Sequence, residues 1–242
     1  APALASRPTI IHSNDIMGEL EPCGCRRDPQ GGYVRQWNFQ KKLPRKDLIV
    51  LDSGDLLFES VEVPELLRSQ SLMQAELVIE ARNLLGTQAI TPGEKDFALG
   101  VDVFMRLAKK AKFPFLSCNL LDAQKKPLLE CQKTISLSNG QTLRIFGITG
   151  RDISLPGKLS TKDPIETLKK ALPSKKPKNE TWALLSHQGM PDDEKLAKAV
   201  PQIDLIFGAH TQELLQKPKR VGKAWIFQLS FRNQFVGRVP GP

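Results

Sequence analysis

The sequence lacks the features that define several large classes of protein. No stretch of its 242 residues approaches the ~18 to 20 uncharged apolar residues that a membrane-spanning helix needs, so we predict no membrane span. The composition is not that of a disordered chain, because hydrophobic residues make up 40% and charged residues 25%. Histidine and cysteine are scarce, at three and four residues, so each one stands out as a candidate for chemistry.

Negative charge is also in short supply, and the formal net charge is +9. A basic balance favours anionic partners such as nucleic acid, acidic lipid or a phosphorylated substrate. The excess lies in the short tracts 109–112, 169–170, 175–178 and 217–220. These tracts contain no interleaved aromatic residues on which bases could stack. We therefore expect a solvated basic surface and no specific nucleic-acid partner, with a phosphorylated small molecule as the expected partner class.

The cysteines fall into a tight pair, Cys23 and Cys25, and a looser pair, Cys118 and Cys131. An even count at these spacings fits an oxidising compartment, although four cysteines in a chain of this length do not require one. Residues 1–6 are small and resemble the start of a mature chain after removal of a signal peptide, although an arbitrary starting point would look the same. We expect a periplasmic or exported protein, in which Cys118 and Cys131 are close enough in sequence for a disulfide.

Apolar runs rich in β-branched residues alternate with helical patterns along the whole chain, which indicates an α/β protein. Predicted helices cover 33–43, 65–85, 101–111, 164–172 and 192–199. Predicted strands cover 9–11, 48–51, 89–90, 133–137, 143–148, 182–185, 205–207, 225–229 and 235–239, with another after 113–116. Asn139-Gly140 between two strand patterns predicts a hairpin. With no internal repeat and no long linker, we predict a single domain with two mixed sheets between helices.

Polar clusters follow the predicted strands at the points where an α/β sheet usually places its ligands. They are the segments 12–18, 52–55, 93–97, 186–189 and 208–212. Taken in order, they resemble the metal-binding motifs of 5′-nucleotidases and calcineurin-like metallophosphoesterases, which are Asp-x-His, Gly-Asp, Gly-Asn-His-Glu, a lone His and Gly-His-x-His. The resemblance covers nearly the whole chain and implies a four-layer sandwich. It also implies that 1–242 is one metallophosphoesterase-like domain, which stops before the substrate-binding domain of the larger 5′-nucleotidases.

The resemblance implies a two-metal site of which one position is intact. Asp55 matches the bridging carboxylate, and His187 and His210 match two imidazole ligands. Glu94 stands where the family has asparagine and still offers an oxygen. Two carboxylates and two imidazoles suit one divalent ion such as Zn, Mn or Fe. We therefore expect one divalent ion at this position.

The other metal position departs from the family pattern. Asp15 is present, but Met17 and Gln212 stand where the family has histidines, and a thioether is a poor ligand for a hard ion. A second metal ion is therefore not expected. Lys95 replaces the histidine that contacts the substrate phosphate in the family, so Lys95 and Asp55 are the candidate catalytic residues.

Lys95 suggests a further hypothesis, because Asp15 and Asp55 would otherwise repel each other without a second metal ion. The lysine ammonium is expected to take the place of that ion and pair with Asp15. The alternative is a surface lysine paired with Glu94 or Asp96.

The tight cysteine pair has three competing interpretations. Arg26 and Arg27 follow it, and nearby cations favour the thiolate form. Cys23 and Cys25 form a structural disulfide or idle thiols, act as a redox dithiol, or bind a soft metal together with Met17. The sequence also resembles a bacterial branch of nucleotidase-like proteins with Cys-Gly-Cys in this loop.

Three functions are consistent with these residues, of which the last is a plain binding module without chemistry. The first is a metal-binding, nucleotidase-like phosphoesterase domain of reduced or altered hydrolytic activity. The alternative is a non-hydrolytic protein that uses Cys23 and Cys25 for thiol-redox or soft-metal chemistry on the same scaffold, with an unknown redox partner.

Overall fold

Two mixed β-sheets form the centre of the computed structural model, which describes residues 8–22, 29–151 and 153–242. The hypotheses for Cys23 and Cys25 concern residues outside these ranges. The strands are β1 (Thr9–Ser13), β2 (Leu48–Asp52), β3 (Thr87–Ile90), β4 (Leu120–Leu121), β5 (Gln132–Ser136), β6 (Thr142–Thr149), β7 (Ser160–Thr161), β8 (Glu180–His187), β9 (Leu205–Gly208), β10 (Lys219–Val221), β11 (Ala224–Phe227) and β12 (Gly237–Pro240). The helices are α1 (Tyr33–Gln40), α2 (Arg68–Leu84), α3 (Val101–Lys110), α4 (Pro164–Ala171) and α5 (Met190–Ala199).

The strand order places parallel strands at the centre of both sheets. The first sheet has the order β12-β1-β2-β3, in which β12 is antiparallel to β1 and the others are parallel. The second has the order β10-β11-β9-β8-β6-β5, with antiparallel pairs only at its two edges. A separate two-stranded ribbon joins β4 and β7. The carboxyl ends of the parallel strands are therefore the natural place for a site.

Three apolar clusters hold four layers together. Between the two sheets, residues such as Ile49 and Leu51 of β2 pack with Ile145 and Leu185 of the second sheet. Helices α2 and α3 cover the outer face of the first sheet, through an apolar cluster that contains Val78 and Phe104. Helices α4 and α5 cover the outer face of the second sheet, through a cluster that contains Leu168 and Leu196. The predicted α/β fold, two mixed sheets between helices, is confirmed.

Some element boundaries differ from the sequence prediction for local physical reasons. The Asn139-Gly140 hairpin is present, with β5 and β6 paired antiparallel around it. Helix α5 begins at Met190, two residues before the predicted start, because Pro191 is compatible with the first helical turn. Strand β10 begins inside the basic tract 217–220, where a run of positive charges and a proline concealed a short edge strand.

Within the described ranges, no helix is both long and apolar enough to cross a membrane. The looser cysteine pair forms a disulfide, Cys118–Cys131, which closes a loop of 13 residues' separation. The bond joins the segment before β4 to the segment before β5, and both cysteines pack partly buried against the apolar cluster beneath α4 and α5.

Candidate metal centre

The candidate ligands meet at the carboxyl ends of the parallel strands of both sheets. Asp15 and Asp55 lie in the loops after β1 and β2, and Glu94 lies after β3. His187 is the last residue of β8, and His210 follows β9. Residues 13–15 and 52–55 are buried, as is the whole of His187, so the loops are packed rather than open to solvent.

Several of these residues have backbone conformations that side chains rarely adopt. Asp15, Asp55 and His210 have φ values of 50°, 52° and 74°. Met17 and Gln212, which stand at the altered positions, have φ values of 57° and 54°. Left-handed conformations outside glycine cost free energy and concentrate at functional sites, where surrounding structure enforces them. The turns at the strand ends therefore have a strained geometry at the candidate ligands and also at Met17 and Gln212.

One group of possible ligands consists of Glu94, His187 and His210, each with a donor atom within 4.8 Å of the others. Nε2 of His187 lies 3.1 Å from Oε2 of Glu94, and Nδ1 of His210 lies 3.2 Å from Oε1. The Nδ1 atom of His187 is 2.7 Å from the carbonyl oxygen of Ser53, so it donates there and leaves Nε2 facing the carboxylates. Loss of the Nε2 proton gives the tautomer that a metal ligand needs, held by a backbone acceptor.

A second group consists of Asp15, Asp55 and His187, again within 4.8 Å of one another. Asp55 Oδ1 is 3.5 Å from His187 Nε2. Asp15 Oδ2 accepts hydrogen bonds from Asn14 Nδ2 at 2.7 Å and from His210 N–H at 3.1 Å. His187 is thus common to both groups. The four ligands predicted for one metal ion are therefore divided between the two groups. Asp55 groups with Asp15 and His187, whereas Glu94 and His210 group with His187 only.

The ionisation of these groups reflects how close they are. Burial alone would raise the pKa of Glu94, but the imidazoles of His187 and His210 lower it below its usual range. Burial would likewise lower the pKa of His187, yet the charge of Asp55 raises it well above its ordinary value. Burial raises the pKa of Asp15. A proton on His187 therefore balances the carboxylates, and a divalent cation would take over that role and release the proton.

The donor set fits a divalent metal ion. Asp15 Oδ1, Asp55 Oδ2, Glu94 Oε2 and His187 Nε2 are all buried and make no well-directed hydrogen bond. Of these atoms, Asp55 Oδ2 faces Lys95 Nζ at 2.8 Å and Glu94 Oε2 faces His187 Nε2 at 3.1 Å, whereas Asp15 Oδ1 has no polar partner. A buried polar atom without a partner is costly, and a bound ion would give Asp15 Oδ1 one. Carboxylate and imidazole ligands together suit Zn, Mn or Fe.

Lys95 does not pair with Asp15, and that hypothesis is wrong. Its Nζ lies 2.8 Å from Asp55 Oδ2, and its side chain is only 16% exposed. The reason is local, because the N–H of Lys95 already donates to Asp55 Oδ1 at 2.9 Å, so the side chain returns to the same carboxylate. The alternative of a surface lysine paired with Glu94 or Asp96 is not found either.

Asp96 is a positioning residue that the sequence did not single out. It is fully buried, and its two oxygens accept hydrogen bonds from four backbone N–H groups at 2.9–3.0 Å. These belong to Asp55, Leu56, Leu57 and Gly93. Asp96 therefore fastens the loop after β2 to the loop after β3. The only signal for this role in the sequence was a second acidic residue, Asp96, two positions after Glu94.

Beneath the centre, a buried ion pair connects α2 to the first sheet. Arg82 NH2 lies 3.4 Å from Asp52 Oδ2, and both side chains are fully buried. Ser13 Oγ donates to Asp52 Oδ2 at 2.5 Å and accepts from Arg82 NH1 at 3.0 Å. The N–H of Gly54 donates to Asp52 Oδ1 at 3.0 Å. The ends of β1 and β2, which carry Asp15 and Asp55, are thereby fixed from below.

Met17 is buried, and its N–H donates to the carbonyl oxygen of Asp55 at 2.7 Å, so it lies beside the centre. The soft-metal set of Met17, Cys23 and Cys25 stays a prediction, because both cysteines lie outside the described residues. His12, the third histidine, lies on β1 against the rings of Phe207 and Phe227 and belongs to neither ligand group.

Comparison with known proteins relates the chain to metallophosphoesterases and 5′-nucleotidases. No family model matches the chain. It is 26% identical over 236 residues to the uncharacterized metallophosphoesterase YunD of Bacillus subtilis (strain 168), covering 95% of this chain and 49% of that protein. It is also 26% identical over 227 residues to the 5′-nucleotidase of Rattus norvegicus, covering 86% of this chain and 38% of that one. The chain thus spans about half or less of the length of these relatives.

Solved structures show the same fold. The sulfate thiohydrolase SoxB of Thermus thermophilus superposes with a TM-score of 0.80 at 22% identity, over 98% of this chain and 54% of that one. Other matching structures include 5′-nucleotidases. The predicted resemblance is confirmed: relatives and structural neighbours of this chain are 5′-nucleotidases and metallophosphoesterases, and it has their α/β fold.

Proposed function

We propose that this chain is a metal-binding, nucleotidase-like phosphoesterase domain of reduced or altered hydrolytic activity. The observation that carries the proposal is the convergence of Glu94, His187 and His210, with the ring of His187 oriented by its Nδ1 hydrogen bond to Ser53 so that Nε2 faces the other ligands. One divalent ion, Zn, Mn or Fe, is held by these three residues, with Asp55 beside it. The substrate is a phosphorylated small molecule, as the names of the 5′-nucleotidase relatives suggest.

The roles of the residues follow from their positions. A bound divalent ion would supply Lewis acidity at the phosphoryl group. Lys95 lies next to that position on Asp55, and its ammonium supplies further positive charge and N–H donors for a phosphate oxygen. His210 is the most exposed of the three ligands, with a side chain 35% accessible, and marks the side from which substrate enters. Asp55 orients Lys95 and His187.

Metal binding is the first test of the proposal. We expect one Mn²⁺ or Zn²⁺ per chain by calorimetric titration and elemental analysis, and an affinity about 100-fold lower in Glu94→Ala and His210→Ala, because each removes a direct ligand. Glu65→Ala is the matched control, since Glu65 is an exposed acid whose side chain is 91% accessible. Two tightly held ions per chain, both lost in His210→Ala, would contradict the proposal. Hydrolysis of a panel of nucleotides with the same variants then measures the remaining activity.

Gly93 provides a second test, because the loop after β3 passes very close to the ligands. A Cβ atom at this position would lie 2.2 Å from Asp55 Oδ1 and 2.5 Å from His187 Nε2. Gly93→Ala is therefore expected to displace one or both side chains and lower metal affinity by about 10-fold or more, the scale seen when ligand orientation is disturbed. Gly86→Ala is the control for backbone strain away from the ligands, because a Cβ there meets nothing within 4 Å while its φ of 73° makes the substitution strained. Unchanged affinity in Gly93→Ala would show that the ligand positions are wrong.

The alternative function remains a proposal of its own. Met17 lies beside the centre where the family has a histidine, and Cys23 and Cys25 follow it in the sequence. A thiol titration and a redox potential for these two cysteines would separate dithiol chemistry from metal-dependent hydrolysis. The Cys118–Cys131 disulfide supports the proposed periplasmic or exported location, because disulfides persist in oxidising compartments.

A further inference from the structure

Lys95 is the one lysine or arginine that forms an ion pair with Asp15 or Asp55 among the described residues. It contacts Asp55 twice, through its N–H to Oδ1 at 2.9 Å and through Nζ to Oδ2 at 2.8 Å. Both oxygens of this carboxylate are therefore engaged by one residue. A carboxylate that bridges two metal ions gives one oxygen to each. Here the second oxygen is taken by an ammonium.

The position of this ammonium is fixed by the structure around it. Lys95 begins a short 3₁₀ turn, Lys95–Phe97, whose next residue is Asp96. Because Asp96 fastens this turn to the loop after β2, the backbone of Lys95 cannot move away from Asp55 without breaking buried hydrogen bonds. The Lys95 side chain is largely buried, so solvent screens its charge little and the ammonium stays beside Asp55.

The charge around Asp55 explains why a cation belongs there. Asp15, Asp55 and His187 place two carboxylates and one imidazole within 4.8 Å. Two carboxylates at this separation repel each other unless a cation lies between or beside them. His187 also serves the Glu94 group, so it cannot neutralise both groups alone. A fixed ammonium supplies the charge of a cation without open coordination positions.

We propose that Lys95 sets the metal stoichiometry of this chain, by holding its ammonium on Asp55 Oδ2 and so excluding a divalent ion from the Asp15, Asp55 and His187 group. This inference builds on the proposed function, since it assigns the remaining ion to Glu94, His187 and His210. It predicts that the second group is still a competent metal site when the ammonium is removed. Asp15 Oδ1, buried and without a hydrogen-bond partner, is the additional ligand atom that would then be used.

The test is to titrate Mn²⁺ and Zn²⁺ into the full chain and into Lys95→Ala, with Lys110→Ala as the control for losing an exposed ion pair. We expect one ion in the unmodified chain and in the control, and two in Lys95→Ala. Without metal, Lys95→Ala should melt at a lower temperature than the unmodified chain, and excess Mn²⁺ should restore it. Two ions in the unmodified chain, or no gain of an ion in Lys95→Ala relative to the unmodified chain, would overturn the inference.

A double variant, Lys95→Ala with Asp15→Ala, locates the gained ion. Loss of the second ion in this variant supports the inference, and its retention overturns it. The proposed function has a separate criterion, because it fails if the ion of the unmodified chain survives His210→Ala. If the unmodified chain binds no ion while Lys95→Ala binds one that depends on Asp15, the inference stands and the proposed function falls.

Discussion

Asp96→Ala is expected to lower the free energy of unfolding by about 4 kcal/mol or more. The substitution leaves four backbone N–H groups without an acceptor, and each buried unsatisfied donor costs about 1–3 kcal/mol. Removing an unfavourable charge offsets part of this, because burial and the charge of Asp55 raise the pKa of Asp96 to about 7. Urea unfolding followed by circular dichroism measures the change.

Two variants make this prediction specific. Asp96→Asn keeps one oxygen for two of the donors and turns an N–H₂ group toward the others, so its loss should be intermediate. Asp102→Ala removes an exposed acid in the first turn of α3 and should cost less than about 1 kcal/mol. A loss in Asp96→Ala as small as that in Asp102→Ala would mean that Asp96 does not hold the two loops together.

Arg82→Met is expected to be similarly damaging, at about 3–5 kcal/mol, because it leaves Asp52 as a buried charge without its partner. Asp52→Asn should also destabilise, by stranding the guanidinium. The double variant should lose less than the sum of the two, since replacing both members of a buried pair is far milder than removing one. Additive losses in this double-mutant cycle would contradict the interpretation. Arg68→Met, on the exposed face at the start of the same helix, is the control and should cost less than about 1 kcal/mol.

The fold was predictable from the sequence because its signals are local and repeated. Runs such as 48–51 and 182–185 are uniformly apolar, as strands buried on both faces must be. The Asn139-Gly140 turn predicted its hairpin directly. The order of polar clusters at strand ends then indicated which loops meet. Edge strands such as β10 were missed, because one face is open to solvent and the apolar signal is weak.

The site was predictable in its membership but not in its geometry. The resemblance to the metallophosphoesterase motifs implied that Asp55, Glu94, His187 and His210 lie together, but the division of these residues into two groups depends on distances of an ångström or two. The partner of Lys95 was set by its own N–H hydrogen bond to Asp55, which no pattern reveals. Asp96 accepts a hydrogen bond from Leu57, 39 residues away in sequence. Arg82 donates one to Ser13, 69 residues away. Long-range pairings of this kind leave no periodic trace.

The disulfide between Cys118 and Cys131 has a practical consequence for the chemistry of the other pair. With two of the four cysteines of this sequence in one covalent bond, any free thiol in the native chain belongs to Cys23 or Cys25. A mass tag that alkylates thiols before and after mild reduction would therefore report on that pair without the need to mutate either residue. Because Cys118 and Cys131 are already bonded to each other, the number of tags attached before and after reduction would give the oxidation state of Cys23 and Cys25.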